Sequence, residues 1–237
     1  MTDNSIKRLA RRAFQAAGYT VRDVGHGVSG VDLLHDARVL LGEVPAPVLF
    51  DIGANIGQTA LAMRATFPSA RIWSFEPSPS TFASLRQAVE GDAGVIAEAL
   101  AFGDAKGVLP FHVTRDHSVN DSLLAPTWSA GGSVVEVPVD TVDQYSRDHA
   151  VESIDLLKVD AQGYDLRVLA GARQMLLSRR IKLYCCEANF EQMYEGQATL
   201  LDLLAFADQV GYRLVGFYTQ TYVNNRLSYL DAMFVSS

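Results

Sequence analysis

Cysteine is almost missing from this chain of 237 residues: Cys185 and Cys186 are the two it has, and they are adjacent. On a strand, neighbouring side chains point to opposite faces, so a bridge between them would be strained and a disulfide-stapled fold is excluded. Two buried thiols in a reducing, cytoplasmic setting are the expectation. Long apolar runs are also lacking: nothing approaches the roughly 18 consecutive apolar residues that a spanning helix needs, and no apolar stretch follows the early charges as a secretory signal requires. Cations are scarce, 20 Lys and Arg against 27 Asp and Glu, for a formal net charge of −7. Neutralising phosphates takes clustered cations, so nucleic acid is not the expected partner. The exception is Lys7, Arg8, Arg11 and Arg12, which lie at helical spacing beside Ile6, Leu9, Ala13 and Phe14 and read as an amphipathic helix.

What is present is a rhythm. After residue 45, short apolar strands alternate with helical patterns, the signature of an α/β fold with a mostly parallel sheet and helices on both faces. Strands are expected at 48–50, 71–75, 94–100, 154–159 and 181–186, with helices at 59–67, 80–90, 166–177 and 199–210 between and after them. Residues 212–218 and 230–235 read as two closing strands, one antiparallel, which makes a sheet of seven. The stretch 107–143 breaks the rhythm and reads as a β excursion, with strands at 108–114 and 134–139 around a polar loop. Residues 1–44 hold two expected helices, 5–17 and 31–41. They are read as an extension that packs on the sheet, caps the site or pairs subunits in a homo-oligomer, with 45–237 as the main domain.

Chemistry concentrates where the first strand ends, in Asp51-Ile52-Gly53-Ala54-Asn55-Ile56-Gly57. A strand, a glycine turn and a helix start aim backbone N–H groups at the carboxyl edge of the sheet, where ligands of open α/β folds bind. Gly53 and Gly57 let the backbone approach a ligand without a Cβ in the way. A dinucleotide fingerprint opening at Gly53 needs two further glycines, but Asn55 and Gln58 hold those places. Asp51 would also repel a pyrophosphate, yet it suits an ammonium or sulfonium group. At the end of the second strand Glu76 can accept two hydrogen bonds from a ribose diol.

The run from Phe50 to Gln58, then Phe75-Glu76-Pro77, Ala101-Phe102-Gly103-Asp104, Lys158-Val159-Asp160-Ala161-Gln162-Gly163-Tyr164-Asp165 and Val168-Leu169-Ala170-Gly171-Ala172, resembles the FkbM-type methyltransferases. The resemblance spans residues 48–237 with its motifs in order. It implies the Rossmann-like class I methyltransferase fold and methyl transfer from S-adenosylmethionine to a hydroxyl of a sugar, glycan or secondary metabolite. It further implies that Asp51, Gly53 and Asn55 line the methionine part of the donor, that Glu76 holds the ribose, and that Leu100 lies near the adenine. One departure is Gln162, where many members carry an acid.

An alcohol needs a base or a Lewis acid to become a nucleophile near neutral pH. Asp160, at the end of the fourth parallel strand, is the expected base, either alone or as ligand of a divalent cation such as Mg²⁺ shared with Glu187 on the next strand. His117, in the polar loop of the excursion, is a second candidate base. Two other readings stay open here: a nicotinamide-dependent oxidoreductase, which the missing glycines disfavour, and a non-catalytic module that only binds the adenosyl cofactor.

Overall fold

The computed structural model describes residues 3–18, 27–114, 120–128 and 131–237. Seven strands form the main sheet: β1 (Val48–Ile52), β2 (Arg71–Phe75), β3 (Val95–Glu98), β7 (Ile154–Val159), β8 (Ile181–Asn189), β9 (Tyr212–Val223) and β10 (Arg226–Ser236). Their spatial order is β3-β2-β1-β7-β8-β10-β9, and β10 runs antiparallel to both of its neighbours. Strands β7 and β8, at the centre of the sheet, are buried on both faces along almost their whole length, which is why their sequences are predominantly apolar. Helices α3 (Gln58–Thr66), α4 (Pro79–Ala88), α6 (Asp165–Ala170), α7 (Arg173–Leu177) and α8 (Leu200–Val210) connect them. The Rossmann-like α/β architecture of the sequence reading is the one observed, with differences that have local causes.

The expected helix 166–177 is two helices. Gly171 lies between α6 and α7, and a Cβ there would sit 2.0 Å from the Gly103 carbonyl oxygen. Its own carbonyl accepts from Asp143 N, so the chain is pinned to α5 (Val142–Asp148) at the point where the helix breaks. That short helix was not foreseen; Thr141 caps it by accepting from Gln144 N, and seven residues are too few for a clear periodic signal. The expected strand 94–100 stops at Glu98, and Ala101–Phe102 leaves as β4 to pair in parallel with β6 (Gly132–Asp140). With β5 (Gly107–Thr114) antiparallel to β6, the excursion is a separate sheet of three strands.

At the amino-terminal side, α1 (Asp3–Ala16) leaves residues 8–16 exposed, including Leu9 and Phe14. Helix α2 (Leu33–Leu41) packs Ala37 into the apolar cluster formed with Leu49, Met63 and Met233. Buried Asp36 ties this segment to the sheet: it accepts from Ser29 N at 2.7 Å, Gly30 N at 2.7 Å and the Tyr218 hydroxyl at 2.9 Å. No described helix is long and apolar enough to cross a membrane, and both thiols are free and buried.

The larger core lies between the sheet and the face carrying α5 to α8, and aromatic rings hold its centre. Phe75 packs edge-on against Phe102 at 4.7 Å and Tyr145 at 5.1 Å between ring centroids, and tilted against Phe50 at 5.3 Å. This cluster fixes the end of β2, where Glu76 emerges. Phe75→Ala should lower unfolding free energy by about 3–5 kcal/mol in urea titrations, because an aromatic side chain that is 0% exposed leaves a cavity. Leu201→Ala, at a side chain 75% exposed, should change it by no more than about 0.5 kcal/mol.

Candidate functional site

The carboxyl ends of β1, β2, β7 and β8 open into a cavity of 420 Å³. Its shape begins with the turn after β1. Gly53, Asn55 and Gly57 take φ of +80°, +49° and +95°, left-handed values in which glycine carries no Cβ penalty and asparagine carries little. Gly53 N and Ala54 N both donate to the Phe75 carbonyl, which seats the turn against β2. On the other side, a Cβ on Gly53 would lie 1.9 Å from the Asp160 carbonyl oxygen, so only glycine lets this turn touch the tip of β7.

Glu76 follows β2 and is held from two directions. Its Oε2 accepts from Asn55 N at 3.0 Å and its Oε1 from Ser78 N at 2.8 Å, while both oxygens keep acceptor capacity toward the cavity. Burial lifts its pKa to about 7, against the pull of those two N–H groups.

Asp160 follows β7. Its Oδ2 pairs with Lys158 Nζ at 3.0 Å and its Oδ1 accepts from Gln162 Nε2 at 2.8 Å. The same amide lies 3.5 Å from Glu187 Oε1, and the Tyr194 hydroxyl donates to Gln162 Oε1 at 3.0 Å, so Gln162 spans the two acids. Burial pulls the Lys158 ammonium pKa down, but Asp160, Asp51 and Asp231 outweigh it and the net shift is upward. Glu187 is pushed up by burial and by the charges of Asp160 and Asp165. Asp165, lifted to about 7 first by burial and then by Asp160, accepts from Glu187 N at 3.0 Å and Ala161 N at 3.3 Å. It staples the loop after β7 to the end of β8, and its place five residues after Asp160 in the matched motif was the signal for it.

Of the residues expected at the site, Gly53, Asn55, Glu76, Leu100, Asp160 and Glu187 line the cavity. Asp51 does not. It is 0% exposed behind the turn, with neither carboxylate oxygen hydrogen-bonded among the described residues, and burial raises its pKa to about 6 while Lys158 pulls it down. Gly57 also turns away from the cavity; it precedes α3, and a Cβ there would meet Leu85 and Ala88 of α4. His117 lies outside the described residues. Sequence reasoning missed the far wall, formed by Asn189 of β8 and by Thr219, Ser228, Tyr229 and Asp231 of the β9–β10 hairpin, because nothing in a hairpin's apolar alternation marks it as a wall.

The residues fit an adenosyl amino acid. Glu76 presents two anchored acceptors for a vicinal diol, and the lining holds five acids and, among the described residues, no Lys, Arg or His, which suits a ligand bearing ammonium and sulfonium charges. They do not fit a shared divalent cation as arranged. Lys158 and Gln162 already occupy both oxygens of Asp160, Glu187 Oε1 is engaged by Asn189 and Gln162, and no three metal-ligating groups converge among the described residues.

Comparison with known proteins agrees with this geometry. The family model described as the methyltransferase FkbM domain matches residues 51–214. The 2-O-methyltransferase NoeI of Sinorhizobium fredii is 29% identical over 187 residues, covering 72% of this chain and 76% of that protein. The hexuronic acid methyltransferase AglP of Haloferax volcanii is 27% identical over 180 residues, 69% of each chain. Among solved structures, the METTL16 methyltransferase domain superposes with a TM-score of 0.53 over 86% of this chain and 65% of that one, at 12% identity, a likeness of fold alone.

Gly53→Ala should cost about 3 kcal/mol or more in chemical unfolding, since the new methyl would overlap the Asp160 carbonyl and φ is +80°. Gly91→Ala, with φ +83° but open space around it, should cost only about 1–2 kcal/mol.

Proposed function

Because the chain belongs to the FkbM methyltransferase domain family and is an S-adenosylmethionine-dependent methyltransferase, we propose that it methylates a hydroxyl oxygen of a sugar, glycan or comparable hydroxylated metabolite. The observation that carries the proposal is the pairing of two features across one cavity. One is Glu76, an anchored acid just after β2 with acceptors for a diol, and the other is the Asp160 carboxylate just after β7 beside a polar wall. The names of the relatives, one a 2-O-methyltransferase and one directed at hexuronic acid, support oxygen as the acceptor atom.

When bound, S-adenosylmethionine supplies a methyl group already activated on a sulfonium, so the chain's task is alignment and proton removal. Glu76 accepts the two ribose hydroxyls, the backbone of Gly53 and Asn55 flanks the methionine part, and Leu100 packs at the adenine. Asp51, set behind the turn, contributes charge to the floor and no direct contact. Asp160 takes the proton of the acceptor hydroxyl as that oxygen forms its bond to the methyl carbon and the carbon–sulfur bond breaks. Lys158 pairs with one oxygen of Asp160 and Gln162 donates to the other, which together fix its orientation. A purely binding module has no use for such a positioned carboxylate, and an oxidoreductase would need the phosphate-binding glycines that Asn55 and Gln58 replace.

Two measurements test this. Asp160→Asn should cut kcat by about 10²- to 10⁴-fold while the dissociation constant for S-adenosylhomocysteine, read by calorimetry, changes by less than about threefold; unchanged turnover would remove Asp160 from the chemistry. Second, Glu76 offers both oxygens as acceptors to a diol only when ionised, and its pKa is lifted to about 7. S-adenosylhomocysteine should therefore bind more tightly as pH rises from roughly 6 to 8, and Glu76→Gln should weaken binding and flatten that profile. Stability moves the other way: the unfolded chain ionises Glu76 near its ordinary value of 4.5, whereas the folded chain retains the proton until about 7. The contribution of Glu76 to stability of the ligand-free fold is thus complete at acid pH and is lost as pH rises through about 7.

A further inference from the structure

The far end of the cavity has its own construction. Glu187, on β8, is 9% exposed. Its Oε1 accepts from Asn189 Nδ2 at 3.0 Å and faces Gln162 Nε2 at 3.5 Å, while its Oε2 accepts from no described residue. On the neighbouring strand, where Asp231 is the register partner of Glu187, the ladder between β9 and β10 is irregular: register shifts fall between Leu227 and Tyr229 and again between Tyr229 and Asp231, and Thr219 has φ +45°. A regular strand shows only alternate residues to one side. Here the consecutive residues Ser228 and Tyr229, with Asp231, all line the same cavity, the re-aiming that a bulge produces.

What these side chains present is one-sided in charge. Glu187 and Asp231 join Glu76, Asp121 and Asp160, and none of the described lining residues is cationic. The nearest ammonium, Lys158, is buried and already tied to Asp160. A neutral ring can donate its hydroxyls to Glu187 and Asp231 and exchange hydrogen bonds with Asn189 and Ser228, while the Tyr229 ring offers an apolar face. A ring carrying its own carboxylate would meet like charge here with no cationic side chain among the described lining residues to offset it.

Resting on the methyl-transfer reading above, we infer that this end selects an acceptor ring carrying no negative charge, a neutral polyol rather than a uronate. Glu187 and Asp231 are the residues that enforce the choice, by accepting hydrogen bonds from hydroxyls within an acid cluster that disfavours a further carboxylate.

The test uses the full chain loaded with S-adenosylhomocysteine and matched pairs of methyl glycosides, each hexose beside its uronic acid, with binding read by ligand-observed NMR. In parallel, methyl transfer from S-adenosylmethionine is read by mass spectrometry. The neutral member of at least one pair should bind and react at least about tenfold better than its uronate. In the double variant Glu187→Gln, Asp231→Asn, checked for folding by its melting curve, the binding ratio should move toward the uronate by about tenfold or more. A uronate preferred by the parent, or a ratio unmoved in the folded double variant, overturns the charge rule and leaves the methyltransferase reading standing. If no member of any pair binds or reacts while S-adenosylhomocysteine still binds, the sugar-acceptor reading and this inference fall together. A double variant that does not fold is replaced by Asp231→Asn alone, for which the same shift in ratio is required.

Discussion

One buried cation organises the acidic end of this molecule. Lys158 occupies the register position between Asp51 on β1 and Cys185 on β8, with Asp160 two residues further along its own strand. Gathering Asp51, Asp160, Asp165, Glu187 and Asp231 at one edge of the sheet would otherwise be ruinous, because each buried carboxylate loses hydration and repels the rest. The ammonium compensates part of that cost for Asp51, Asp160, Asp165 and Asp231, and direct contact goes to Asp160 alone. The upward shifts of Asp51 and Glu187 record the balance that remains. Such a cluster stores unfavourable electrostatics in the ligand-free protein, and a ligand bearing positive charge relieves it.

Gln162 shows how finely the cluster is divided. Its amide nitrogen faces both Asp160 and Glu187, and its carbonyl oxygen is held by Tyr194. An acid at this position would add a further negative charge beside two that already repel. The amide instead donates toward both, which is what this position does across the gap between the two acids. The same residue adopts φ +50°, ahead of Gly163, whose missing Cβ makes room for the Tyr194 ring. The loop after β7 is thereby held against the segment after β8.

The two walls of the cavity are built on different principles. The β1–β2 wall is a turn of positive-φ residues closed by backbone hydrogen bonds, dictated locally by glycine and asparagine. The β9–β10 wall is a hairpin whose pairing is interrupted so that successive side chains face inward, and its composition is acid, amide and hydroxyl rather than cation. In the proposed reading the first wall holds the methyl donor and the second faces the acceptor.

Legibility in the sequence follows the range of the forces involved. Strand runs, the glycine turn, and the acids closing β1, β2, β7 and β8 could be read directly, because burial on both faces writes apolar runs and backbone conformation demands particular residues at particular positions. Contacts between distant segments could not be read. Gly171 has to be glycine because a Cβ there would lie 2.0 Å from the Gly103 carbonyl oxygen, and Ala101–Phe102 leaves the main sheet to pair with β6. Asp51 retreats behind the wall it was expected to form, and the β10 bulges bring Ser228, Tyr229 and Asp231 into a site whose motifs lie far away in the chain. Local steric and hydrophobic patterning determined the sheet and the glycine turn, and the motifs in order pointed to the family; the side-chain set of the β9–β10 wall was decided only by tertiary packing, since proximity across strands leaves no periodic mark on either segment.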